Sequence, residues 1–128
     1  MKAILDTHAF IWWITDDNQM SPGARKVIED EDNEIFVSAA SIWEIVIKAK
    51  LGKITLPKRA DIFLAEQIAL NDFSSLPMLN SHALKIFSLP DIHRDPFDRM
   101  LVAQAQTEDC PIITSDSVIG KYSVSCVW

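Results

Sequence analysis

The run HRDPFDRMLVAQAQTEDCPIITSD, from His93 to Asp116, decides how this chain folds. Asp95-Pro96 is a helix start: an aspartate side chain accepts from the free N–H groups of a first turn, and proline at the first helical position sacrifices no bond. Asp98 falls in that same first turn, where the N–H groups favour negative charge. After the helix, Pro111-Ile112-Ile113-Thr114 has the length and apolar character of a buried strand, and it passes directly into Ser115-Asp116. One helix and one strand thus deliver two acids, Asp98 and Asp116, and the rest of the chain must supply their complement.

Working outward, Lys2-Ala3-Ile4-Leu5 is a short strand ended by Asp6, followed by a helix over Thr7 to Ile14 that carries Trp12 and Trp13. Ser21-Pro22 starts a second helix through Ile28. Glu34 to Val37 is the next strand, and Ser38 to Lys50 the next helix. Ile42, Ile45, Val46 and Ala49 share one face of that helix, while Trp43 and Ile47 form a second stripe, so the spacing predicts a helix covered on two sides. Gly52 stops it. Asp61 to Leu70 is a dense apolar helix, Phe73 to Leu76 a strand closed by Pro77, and Ser81 to Phe87 a short helix ending before Pro90. Ser123 to Val127 is the last strand. Strands alternating with helices predict the α/β class, with a mostly parallel sheet covered on both faces.

Composition narrows the function. A chain of 128 residues with 48% hydrophobic residues and only three glycines is expected to form one packed domain spanning residues 1–128. No apolar run approaches the roughly 20 residues a membrane helix needs. Asp6 interrupts the apolar stretch after Lys2, so no signal peptide is expected. Cys110 and Cys126 have neither metal-ligand nor redox spacing, which fits a reducing cytoplasm. A formal charge of −6 disfavours nucleic-acid binding on average. The distribution says otherwise: Lys48, Lys50, Lys53, Lys58 and Arg59 lie between Glu44 and Asp61 with no acid among them. They form either a basic face or an ordinary solvated one.

In open α/β sheets, ligands bind beyond the carboxyl ends of the strands. Asp6 and Asp116 sit at two such ends, Glu44 lies early in the helix that leaves the second strand, and Asp98 opens its own helix. Each acid has a bland explanation. Asp6 or Asp116 caps a turn; Glu44 makes a capping box with Ser41 or an ion pair with Lys48; Asp95 and Asp98 both serve their helix start. Together the acids are harder to dismiss. Two carboxylates about 4 Å apart repel by roughly 4 kcal/mol at an effective dielectric of 20. Four in one place must protonate, separate or hold cations, and oxygen ligands suit Mg²⁺ or Mn²⁺. Such ions activate water and neutralise a leaving oxygen, which is the chemistry of a metal-dependent nuclease.

Two other motifs fail. His93-Arg94-Asp95 opens like a kinase catalytic loop, but Met100 stands where asparagine is needed and there is no Gly-rich loop. His8, His82 and His93 lack zinc-ligand spacing. His8 lies close to Asp6 and reads as a surface or capping residue, and the Trp12-Trp13 pair as core plus partner-facing surface.

Leu5-Asp6-Thr7-His8, Ser41-Ile42-Trp43-Glu44-Ile45, Asp95-Pro96-Phe97-Asp98-Arg99-Met100-Leu101 and Thr114-Ser115-Asp116 occur in this order across essentially the whole chain. In this the chain resembles PIN-domain ribonucleases, and among them the VapC-type toxins of bacterial toxin–antitoxin pairs. The resemblance implies a three-layer α/β/α domain with four or five mostly parallel strands. It implies that Asp6, Glu44, Asp98 and Asp116 bind Mg²⁺ or Mn²⁺ for hydrolysis of RNA, with Thr7 or Ser115 holding a water at the ion. It also implies a homodimer silenced by a cognate antitoxin. Two other readings stay open: a housekeeping RNA-processing nuclease without antitoxin, and a noncatalytic module that binds RNA or protein. An aspartyl-phosphate enzyme is disfavoured, because Asp6-Thr7-His8 lacks the second aspartate of an Asp-x-Asp pair.

Overall fold

The computed structural model describes residues 1–128, built on a five-stranded, wholly parallel sheet in the order β3-β2-β1-β4-β5. The strands are β1 (Lys2–Leu5), β2 (Glu34–Ser38), β3 (Ser74–Leu76), β4 (Ile112–Ile113) and β5 (Cys126–Val127). β1 is central, and Ala3, Ile4 and Leu5 are fully buried, as a strand covered on both faces requires. Its end is aligned with both neighbours, Leu5 lying opposite Val37 of β2 and Ile113 of β4.

Alternation along the strands splits the core in two. Ala3, Leu5, Ile35, Val37 and Ile113 point to one face and pack with Phe10, Ala24, Ile45 and Leu64. These come from α1 (Thr7–Ile14), α2 (Pro22–Glu29), α3 (Ala39–Lys50) and α4 (Ala60–Leu70) respectively. Ile4 and Ile112 point the other way, against Leu101, Val102 and Ala105 of α6 (Pro96–Glu108) and against Ile119 and Tyr122. The remaining helix, α5 (Asn80–Lys85), is tied to α6 by the buried His82, whose Nδ1 accepts from the Leu79 N–H and whose Nε2 lies 2.9 Å from Glu108. The result is three layers, α/β/α.

Local chemistry sets the helix ends. Ser21 accepts from the Ala24 N–H at 3.0 Å, and Asp95 accepts from both Phe97 and Asp98. Gly52 ends the α3 turn with φ +74°, a conformation that costs glycine nothing. Three expectations change. Ser38, not Ser41, caps α3, accepting from the Ala40 N–H, so Glu44 belongs to no capping box. The closing strand contracts to Cys126–Val127 because β4 offers it only Ile112 and Ile113 as partners, while Val124 turns back onto the Tyr122 carbonyl. The second stripe of α3 is uncovered: Trp43 and Ile47 are exposed, as is Val46 of the first face, because α4 and the sheet occupy only the Ile45 side. Trp13, by contrast, is structural, donating its indole N–H to Asn71.

Candidate active site

Because the strands are parallel and aligned, the chain leaves β1, β2 and β4 at one edge, and the side chains just beyond those ends meet. Asp6 is the first residue after β1 and caps α1, taking the Ala9 N–H on Oδ1 at 2.6 Å. Its Oδ2 accepts from the Thr114 hydroxyl, and Thr114 Oγ1 in turn accepts from the Asp116 N–H at 2.9 Å. One buried threonine thus joins the acids after β1 and β4. Burial pushes the Asp6 carboxyl above its ordinary value, although Thr114 and the Ala9 N–H pull it down.

Glu44 comes from the second turn of α3 and is 3% exposed. Its Oε2 takes Lys48 Nζ at 2.5 Å; its Oε1 is buried with no hydrogen-bond partner. The bond to Glu44 holds the Lys48 ammonium above its ordinary value against desolvation. Asp98, in the first turn of α6, presents a carboxylate oxygen within 4.8 Å of those of both Glu44 and Asp95. Its pKa is pushed up to about 7, first by burial and then by Asp95; His93 pulls the other way, and Glu44 and Asp6 add to the rise.

Asp116 Oδ1 accepts from the Val118 N–H at 2.8 Å. Burial raises its carboxyl, but the Val118 N–H, the His93 ring and the Ile119 N–H outweigh that and leave it below its ordinary value. His93 Nε2 stands 3.1 Å from Oδ2 of Asp116 and 3.1 Å from Oδ2 of Asp98. Two overlapping clusters result, Glu44–Asp95–Asp98 and His93–Asp98–Asp116, with Asp98 common to both. Asp6 adjoins them through Thr114 rather than joining either.

The structure therefore gathers Glu44, Asp98 and Asp116 and sets Asp6 beside them. Thr7 is buried and donates its hydroxyl to Ser41 at 2.9 Å, locking α1 to α3. Ser115 is exposed on the turn, and it is Thr114 that reaches Asp6. Asp95 and His93 were not among the expected site residues. Asp95 was hidden by its capping role, which uses Oδ1 alone. In the sequence His93 reads as part of a failed kinase-like motif and as a histidine without zinc spacing; its position two residues before a helix-capping Asp is the available signal.

The donor set suits a hard dication. It consists of carboxylate oxygens, one of which, Glu44 Oε1, is buried with no partner, and buried charge of one sign is tolerated when paired with a cation. Lys48 alone neutralises one charge among several.

Fold and site together define an α/β domain whose parallel sheet gathers acids at one edge. The chain belongs to the PIN-domain family, whose model matches residues 3–124. A ribonuclease, VapC16 of Mycobacterium tuberculosis, is 33% identical over 58 residues, a stretch that takes in 45% of this chain and 41% of that protein's length. Among solved structures, VapBC2 from Rickettsia felis bound to a promoter DNA fragment aligns with a TM-score of 0.72 at 12% identity, over 98% of this chain and 97% of that one. DNA-bound VapBC from Salmonella typhimurium gives 0.70 at 16%, over 98% and 96%, and FitAcB from Neisseria gonorrhoeae 0.62 at 17%, over 97% and 95%. At these identities the structural likeness establishes the fold.

Proposed function

We propose that this protein is a divalent-metal-dependent endoribonuclease and the toxin of a toxin–antitoxin pair acting in the cytoplasm. The observation that carries this reading is the partnerless Glu44 Oε1, beside an Asp98 whose carboxyl is pushed up to about 7. Such a cluster is stored strain in the metal-free chain, relieved by a dication.

In this reading Asp6, Glu44, Asp98 and Asp116 hold Mg²⁺ or Mn²⁺, with Asp95 lending its free oxygen. The ion, when bound, supplies Lewis-acid activation of water and neutralises charge on the leaving oxygen. The chain's own residues do the rest. Thr114 keeps Asp6 and Asp116 at a constant separation, and Lys48 holds its positive charge where an RNA phosphate approaches.

The uncovered stripe of α3 continues into an apolar groove lined by Val37, Ile42, Trp43, Val46, Ile68 and Leu76. The VapBC structures that share this fold are complexes by their names, and this groove is where an antitoxin segment docks in our reading. Exposed Leu84 and Phe87 beside α5 serve a second copy of the chain. The decisive test maps RNA 5′ ends after brief expression of this chain and of Asp98→Asn. New ends produced by the wild type and absent with the variant support the nuclease; identical ends remove it. Growth rescue by a small protein encoded beside it separates a toxin from a housekeeping enzyme.

A further inference from the structure

His93 is held as a side chain with a task. Its backbone N–H donates to Tyr122 Oη at 2.8 Å, and Tyr122 Oη also accepts from Arg99, which reaches the Pro90 carbonyl as well. Its Nδ1 accepts from the Asp95 N–H at 3.1 Å. A backbone N–H can only donate, so Nδ1 carries no proton and the neutral ring carries its proton on Nε2. That N–H faces Oδ2 of Asp98 and Oδ2 of Asp116, both at 3.1 Å.

The arrangement excludes one familiar role, that of a metal ligand through Nε2 with the present Nδ1 contact kept. To ligate a metal through Nε2 while Nδ1 still accepted from Asp95, both nitrogens would have to be bare, which makes an imidazolate anion. His93 therefore stands between two acids, hydrogen-bonded to Asp116 and 3.1 Å from Asp98, so its Nε2 occupies the gap that separates their carboxylates.

Resting on the nuclease reading above, we propose that His93 is a positioning residue that reserves the gap between Asp98 and Asp116 and is displaced when a divalent ion enters. Each entry of metal breaks the Nε2 hydrogen bond to Asp116 and the 3.1 Å contact with Asp98. His93 thereby weakens metal binding while keeping the acids in register during the metal-free interval. The side chains of Glu44 and Asp95 share Asp98 in a second cluster that does not include the ring.

Calorimetric titration with Mn²⁺ tests this, using the full chain as wild type, His93→Ala, His93→Gln and Asp98→Asn. Removing the competing donor is expected to tighten Mn²⁺ roughly tenfold in His93→Ala. His93→Gln, which keeps an N–H at the same reach, returns to wild-type affinity. A His93→Ala that binds more weakly makes His93 a ligand, and one that binds equally makes it structural; either outcome overturns the proposal. Long-range ¹H–¹⁵N spectra of the wild type provide a check independent of any variant. The ring signals are expected to show a proton on Nε2 and to move on adding Mn²⁺; unchanged signals at saturating metal overturn displacement. If neither wild type nor His93→Ala binds metal, the nuclease reading itself falls, and this inference with it. Asp98→Asn calibrates what loss of the site looks like.

Discussion

Glu44 divides its carboxylate between two fates: Oε2 takes the Lys48 ammonium at 2.5 Å, while Oε1 of the same group is sealed from water with nothing to accept from. An i, i+4 pair on a helix is ordinarily a surface decoration worth a few tenths of a kcal/mol. Here its acid is 3% exposed, and leaving a buried acceptor unsatisfied costs about 1–3 kcal/mol. Folding does not recover that cost; in the proposed reading a bound dication does.

Glu44→Gln keeps the shape and removes the charge. We expect the metal-free variant to melt no lower than the wild type, to lose the Mn²⁺-induced rise in Tm that native-state binding gives, and to lose RNA cleavage by at least about a hundredfold. Thermal melts in EDTA and in Mn²⁺, with a cleavage assay on total RNA, check all three. A large drop in metal-free Tm would show that Glu44 is retained for packing.

Asp98 gives a pH signature. Its carboxyl titrates near 7 in the folded chain against an ordinary value of 3.8, so folding favours the protonated form. That contribution to stability is complete below the ordinary value and is lost as pH rises through about 7. Metal-free Asp98→Asn escapes the loss. Its Tm advantage over the wild type is therefore expected to grow between pH 5 and pH 8, and an advantage constant with pH counts against the shifted Asp98.

The same shift makes metal binding release protons. At pH 6 the ion must drive a proton off Asp98, so close to one proton leaves per site, falling toward zero at about pH 8.5. Calorimetry in two buffers of different ionisation enthalpy reads the number directly. Equal apparent enthalpies in both buffers at pH 6 would contradict it.

Thr114→Val removes one hydroxyl and keeps the branching. Asp6 Oδ2 loses its donor and the Asp116 N–H its acceptor. We expect a cost of roughly 2 kcal/mol in urea unfolding, the scale of a hydrogen bond to a charged group, together with at least about a tenfold loss of cleavage from misplaced acids. Ser115→Ala, one residue on and exposed, is the control and is expected to change neither.

Much of this architecture was legible before any coordinates. Ser21-Pro22 and Asp95-Pro96 announce their helices by local chemistry alone, and Ala3-Ile4-Leu5 reads as a buried strand because apolar residues continue without alternation. What the sequence hid depends on tertiary contact. Thr114 looked like the tail of a strand until register with β1 set it against Asp6. Asp95 looked spent on its cap, since no pattern reveals which of two carboxylate oxygens is used. The exposed Trp43 stripe on α3 could not be told from core, because periodicity marks apolar faces and not what covers them.

The bond between Asp6 and Thr114 joins residues 108 positions apart, and it lies at the junction where the acids meet. On a ribosome, the first strand of the sheet waits for β2, β3 and their helices to be made before its neighbour β4 arrives. The acidic edge is thus assembled last. A partly translated copy that has Asp6 and Glu44 but not yet Asp98, Thr114 and Asp116 carries only half of that edge.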